Sequence, residues 1–184
     1  MKVTKTELEG VWIIEPQYFE DDRGYYVESY SKRTLAQHGI TADFVQDGHS
    51  YSRLQGTIRG IHFQRAPHAQ AKLVRCTRGR VMDVAVDLRK GSPTYKQWIA
   101  VELSCENRRQ LFIPRGFGHG FETLTPDCEL QYKVDAFYCP QEDRSVAWND
   151  GEIGIRWHTA DPILSAKDAR APKLCDSDVN FVME

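Results

Sequence analysis

The feature that most constrains this chain is a close succession of short β-prone runs, each ended by turn residues, with very little helical periodicity. The runs include Gly10–Glu15, Gly24–Tyr30, Phe44–Tyr51, Ile58–Gln64, Ala71–Cys76, Gly79–Asp87, Trp98–Leu103, Arg109–Ile113, Gly118–Leu124 and Glu129–Tyr138. Asp22-Arg-Gly, Arg78-Gly79, Lys90-Gly-Ser-Pro93 and Thr125-Pro-Asp127 supply the turns. Strands this short and this closely spaced predict an all-β sandwich or barrel. Val81–Leu88 approximates period-two alternation, with Asp83 and Asp87 interrupting the apolar residues. Helix is confined to Ser31–Gly39, with Ser31 as N-cap and Gly39 as stop, and to a short start at Ser165–Asp168. The 184 residues suffice for one domain with a substantial core, spanning 1–184. A double-sheet jelly roll suits the pattern, because it buries one face of each sheet and leaves a cavity between them.

Charge and cysteine usage exclude several classes of partner. The formal net charge is −2 and the pI about 6.3, so no basic footprint for nucleic acid and no polybasic membrane patch is expected. No run approaches a membrane span, and the first residues lack the apolar core of a signal peptide. The expectation is a soluble, cytoplasmic protein. The 5 cysteines, Cys76, Cys105, Cys128, Cys139 and Cys175, contain no C-x-x-C pair and read as reduced structural thiols.

Two blocks carry the chemistry. Arg59-Gly-Ile-His62-Phe-Gln64 through Lys72 places a titratable imidazole among cations on β-type sequence. Pro114-Arg-Gly-Phe-Gly-His119 follows. A base among fixed cations suits proton abstraction with stabilisation of the resulting anion. The second block matches the second motif of the cupin jelly rolls. In the first cupin motif, Gly56 and His62 are in place and Gly79 closes the hairpin. Gln64, however, stands where a second metal histidine belongs, and Lys72 stands where a glutamate belongs. An ammonium at a ligand position repels a divalent cation, so no metal is expected. The alternative ligand set would be His62, His68 and His119. His68, beside Pro67, reads as a solvated loop residue.

Taken together, the motifs resemble the dTDP-4-dehydrorhamnose 3,5-epimerase family. The matching segments are Asp22–Glu28, Phe44–Asp47, Arg59–Gln64, Ala69–Arg75, Gly79–Arg89, Glu106–Phe121, Tyr132–Val134 and Leu164–Asp168. Any one alone is weak; their joint order is specific and covers nearly the whole chain. The resemblance implies a metal-free cupin, a homodimer with strand exchange, and no cofactor. The reaction it implies is inversion of C5 and C3 in a nucleoside-diphosphate 4-keto-6-deoxyhexose. The N-terminal strand region is expected to contribute to the dimer, and a helical tail to end the chain.

The resemblance also implies roles. His62 matches the base, although a strand histidine between Ile61 and Phe63 is by itself more often a packed core residue. Asp168 matches the carboxylate that pairs with the base. From spacing alone, Ser165-x-x-Asp168 reads as a capping box, and one carboxylate in one orientation is not expected to fill both roles. Tyr132 matches the proton donor; without the resemblance it is a half-buried strand aromatic. Lys72 and Arg59 match cations near the ketone oxygen or phosphates. Arg59 differs in parity from His62, so a bulge or strand end must bring both into one cavity. Arg23, Glu28, Gln46 and His119 match contacts to the nucleotide or sugar diphosphate, and Phe19 and Tyr138 match aromatics beside the base. Phe19, Arg23 and Glu28 would reach the neighbouring subunit's site. Gly48 stands where the family commonly has Asn, which removes an amide near the cleft.

Two rivals remain at this level. One is an epimerase acting at C3 or C5 alone on another deoxysugar nucleotide. The other is a non-enzymatic sugar-binding jelly roll.

Overall fold

The computed structural model describes residues 1–183. Two antiparallel sheets face each other. The larger has the order β1 (Lys2–Lys5), β2 (Trp12–Glu15), β10 (Gln110–Ile113), β7 (Lys72–Arg78), β12 (Cys128–Val134) and β5 (Gln46–Ser52). The smaller has the order β13 (Asp143–Ser145), β6 (Ile58–Gln64), β11 (Phe117–Thr123), β8 (Arg80–Asp87) and β9 (Trp98–Ser104). A separate ribbon pairs β3 (Tyr18–Asp21) with β4 (Gly24–Val27). Helix is limited to α1 (Lys32–Gln37), α2 (Ala166–Ala169) and a 3-10 turn at Leu174–Asp176. This is the all-β jelly roll expected from the run spacing.

The core lies between the sheets. Val74, Cys76, Leu111, Ile113 and Leu130 from the larger sheet meet Val81, Ala85, Phe117 and Phe121 from the smaller. Each such fully buried aliphatic or aromatic side chain contributes about 1.5–3 kcal/mol relative to exposure. The back of the smaller sheet is covered too: Met82, Val84 and Val86 pack on Val146, Leu174, Val179 and Phe181. That second layer explains why β8 departs from half-buried alternation and is buried along nearly its whole length. The helical tail expected at the C-terminus is one turn of α2 and one 3-10 turn, after which Val179 and Phe181 anchor the chain to this back face.

Gly79 does not close a hairpin. β7 pairs with β10 and β12, whereas β8 pairs with β9 and β11, so Gly79 is a corner where the chain changes sheets. Strands β1, β3 and β13 were not among the β-prone runs. All are short, and β13, Asp-Arg-Ser, has no β-branched residue; only pairing with β6 makes it a strand.

The β6–β11 ladder contains the irregularity that parity requires. His119 pairs with His62 and Phe121 with Arg59, so three steps on β6 oppose two on β11. The extra residue turns Arg59 and His62 to the same, inner face. Gly60 lies inside this bulge with φ 138°, and a Cβ there would stand 2.5 Å from the Gly120 Cα. Only a glycine permits that approach of β6 to β11.

Candidate active site

A cavity of about 290 Å³ opens between the sheets at the end where β6, β7, β11 and β12 converge. Its walls carry Gln46, Arg59, His62, Lys72, His119, Tyr132 and Tyr138. Strand alternation explains the convergence. Lys72 and Tyr132 share the inward parity of Val74 and Leu130 on the larger sheet, and His119 shares that of Phe117 and Phe121 on the smaller. His62 and Tyr132 thus belong to opposite sheets of one cavity.

His62 Nε2 lies 2.5 Å from Asp168 Oδ1. Asp168 is buried, and burial pushes its carboxyl pKa up. The hydrogen bond and charge of His62, followed by the Ser165 hydroxyl, outweigh that and hold it below the usual carboxylate value. An ionised carboxylate only accepts, so Nε2 carries the proton and Nδ1 is left as the basic nitrogen.

The capping box and the ion pair are not alternatives, contrary to the expectation from sequence. Ser165 Oγ accepts from the Asp168 backbone N–H at 3.1 Å and donates to Asp168 Oδ2 at 2.9 Å. Oδ1 remains for His62. Ser165 provides the cap, and its hydroxyl also holds Oδ2 in the orientation that leaves Oδ1 aimed at the imidazole.

Lys72 is half-buried in the cavity wall. Burial pulls its pKa down to about 8, against the opposing pull of Asp83 and Asp143. His119 forms a second histidine–carboxylate pair, with Nε2 2.8 Å from Asp83 Oδ1. Burial lowers the His119 pKa even though Asp83 pulls upward, so this imidazole favours the neutral form. Asp83 is fully buried, and its Oδ2 has no hydrogen-bond partner among the described residues. Sequence reasoning missed Asp83 as part of the site; its signal was a charged residue at an inward position of an apolar strand.

Arg59 is held by β5, donating from Nε to Ser52 Oγ at 3.1 Å and from a terminal nitrogen to the Tyr51 carbonyl at 2.9 Å. Gln64, at the position of a cupin metal ligand, uses its amide for structure. It donates to the His68 and Phe137 carbonyls and accepts from the Cys139 N–H. Those bonds fix the loop carrying Tyr138, whose N–H donates to Gln46 Oε1 and whose hydroxyl donates to Asp143. Asp143 also pairs with Lys167 at 2.6 Å; both line the cavity, and neither was anticipated. His68 is exposed and outside the cavity, so the set His62, His68 and His119 is not assembled. Among the described residues, no group of three His, Cys, Asp or Glu side chains is arranged to hold a metal ion.

Phe19, Arg23 and Glu28 do not join this cavity. They lie on or beside the β3–β4 ribbon, where Phe19, Tyr25 and Tyr26 are exposed and Arg23 is paired with Asp21. A second hollow of similar volume lies behind the larger sheet, lined by Asp47, His49, Arg75, Gln131 and Lys133. Arg75 is there engaged by Gln131.

Comparison with known proteins identifies the family and the fold. The family model described as dTDP-4-dehydrorhamnose 3,5-epimerase matches residues 5–176. The chain is 52% identical over 176 residues to the dTDP-4-dehydrorhamnose 3,5-epimerase of Salmonella typhimurium, covering 95% of this chain and 96% of that one. It superposes with a TM-score of 0.91 on the Bacillus anthracis dTDP-4-dehydrorhamnose 3,5-epimerase crystallised with TDP and PPi. That match has 50% identity and covers 94% of this chain and 98% of that one. It superposes equally, at 0.91, on the Legionella pneumophila dTDP-6-deoxy-D-glucose-3,5-epimerase in complex with dTDP-4-keto-L-rhamnose. There the identity is 42%, over 96% of this chain and 94% of that one.

Proposed function

The chain belongs to the dTDP-4-dehydrorhamnose 3,5-epimerase family, and on that premise we propose that it converts dTDP-4-dehydro-6-deoxy-glucose into dTDP-4-dehydro-rhamnose by inverting C5 and C3. The carbons flanking a ketone are acidic because the anion delocalises onto the ketone oxygen. His62 Nδ1 takes the proton, and the C–H electron pair moves into an enolate. Asp168 stabilises the imidazolium that forms. Lys72 and Arg59 meet the charge that develops on oxygen, so they favour the enolate over the ketone. Tyr132 then gives its phenolic proton to the opposite face of the same carbon, and the enolate electrons return to form the new C–H bond. Imidazolium and phenolate reset by exchange with water, and the sequence repeats at the second carbon.

What supports this reading most is the opposition of His62 and Tyr132 across one cavity. A base alone would restore the starting configuration; inversion needs an acid on the far face. Gln46, His119 and Tyr138 are assigned to the sugar diphosphate and base. We treat residues 1–184 as one domain acting in a homodimer, with Phe19, Arg23 and Glu28 completing the neighbouring subunit's site. The exposed aromatics of the ribbon, unattached to either sheet, favour that exchange. A cytoplasmic setting goes with the free thiols of all 5 cysteines.

Turnover of the 4-keto sugar nucleotide in deuterated water tests the reading. Solvent deuterium at both C3 and C5 is expected. Label at one carbon would make the chain a single-position epimerase, and saturable binding without exchange would make it a sugar-binding protein.

A further inference from the structure

We infer that Gly48 is a positioning residue for Tyr132: its missing side chain is the seat on which the phenol ring rests. The inference rests on the reading above, in which Tyr132 returns the proton. Gly48 lies on β5, the edge strand of the larger sheet, directly opposite Tyr132 on β12. A Cβ on Gly48 would stand 2.4 Å from the Tyr132 Cε2, 2.4 Å from Cζ and 2.7 Å from the phenolic oxygen. No real Cβ tolerates such approaches, so ring and side chain exclude one another. The backbone does not demand glycine here, because Gly48 is outside the left-handed region that Gly56, Gly60 and Gly79 occupy. The ring is therefore the reason for the glycine. An aromatic laid across a glycine on the neighbouring strand is also a favourable sheet pairing.

The phenol is held by packing alone, on Gly48 and on the neighbouring core. Among the described residues no hydrogen bond holds its oxygen, and the ring is half-buried at the border of the core and the cavity. Packing on Gly48 thus sets where the acidic proton is presented, while the oxygen stays free to give it up. His62 is positioned independently from the other sheet, through Asp168 and Ser165. Gly48 is accordingly a device that acts on proton return and leaves proton removal alone.

The test is Gly48→Ala with the 4-keto sugar nucleotide in deuterated water. A methyl there moves the ring by on the order of 1 Å, enough to cost about 10²-fold in a step that depends on geometry. Inversion is expected to fall by about that factor, while deuterium wash-in at C5 of recovered substrate stays within about threefold of the parent enzyme. The same substitution in a Tyr132→Phe background should change residual inversion by less than about twofold, because the seat has lost its acid. Unchanged inversion, a parallel loss of exchange and inversion, or an equal effect in the Phe background would each overturn the inference. A measurement on the unmodified protein stands beside it, independent of whether the variant folds. The Gly48 α-proton resonances should be shifted upfield by the overlying ring and stay so when dTDP is added. Absence of that shift, or its loss with dTDP, would overturn the seat. Failure of the parent enzyme to exchange any label would instead reject the epimerase reading.

Discussion

The His62 imidazole and the Asp168 carboxylate meet at 2.5 Å across 106 residues of sequence, and the second oxygen of that carboxylate is held by the Ser165 hydroxyl. Asp168→Asn should preserve the shape but present an amide N–H, or a weaker acceptor, to Nε2. The basic tautomer is then no longer enforced. We expect kcat to fall about 10³–10⁴-fold with little change in KM, measured by steady-state turnover. Wild-type kcat in this variant would reduce Asp168 to a helix cap.

Tyr132→Phe separates removal from return of the proton. The ring and its packing survive, and only the acid is lost. Solvent deuterium should still enter C5 of the substrate, while product formation falls by about 10²–10⁴-fold. Equal loss of both would make Tyr132 a binding residue.

Lys72 predicts two opposite pH effects. Its pKa of about 8 lies below the ordinary lysine value of 10.5. Activity needs the ammonium, so kcat/KM should decline above about pH 8, and Lys72→Met should remove that limb along with about 10²–10³-fold of rate. For stability the sign is reversed. Between about 8 and 10.5 the unfolded chain binds the proton that the folded chain has lost, so folding stability contributed by this group rises with pH across that window. Urea titrations of the ligand-free protein should show Lys72→Met as more stable than the parent at neutral pH, with a flatter alkaline profile. A less stable variant would contradict the cost of burying this ammonium.

The ribbon residues predict complementation. His62→Asn and Arg23→Ala homodimers should each be impaired, the first in kcat and the second in KM. Mixed and reassembled, they should recover activity above the sum of the parents, because one site in each heterodimer has an intact base and an intact neighbouring arm. No recovery after verified subunit exchange would place Arg23 outside the neighbour's site.

The residues of the site were legible one at a time, their assembly much less so. His62 and Lys72 stand out as an imidazole and an ammonium at cupin motif positions, whereas Tyr132 and His119 took their roles only from the resemblance to the family. Arg59 does not stand out, because its parity is wrong until the bulge at Gly60 reverses it. Ser165 and Asp168 read locally as a cap, and no local rule says that a buried carboxylate has a free oxygen aimed at a histidine on β6. Asp143 and Lys167 were overlooked because nothing near them in sequence marks them as facing the same cavity, and Asp83 reaches the site only through its bond to His119.

The sequence by itself determined the class of fold and the chemistry available. Short runs of β-prone residues separated by turns can bury apolar surface only as packed sheets. A lysine at a cupin ligand position puts a fixed ammonium where a metal-binding carboxylate would stand, and a glutamine puts a neutral amide in place of an imidazole. The tertiary structure decided which groups act together. The proposed removal and return of a proton on opposite faces uses an acid and a base set across one cavity, and here strand order and register place His62 and Tyr132 on different sheets. The same holds at the site first marked only as a missing amide. Gly48 gained meaning when the ladder set it opposite Tyr132, because steric exclusion between two side chains exists only once their strands are paired.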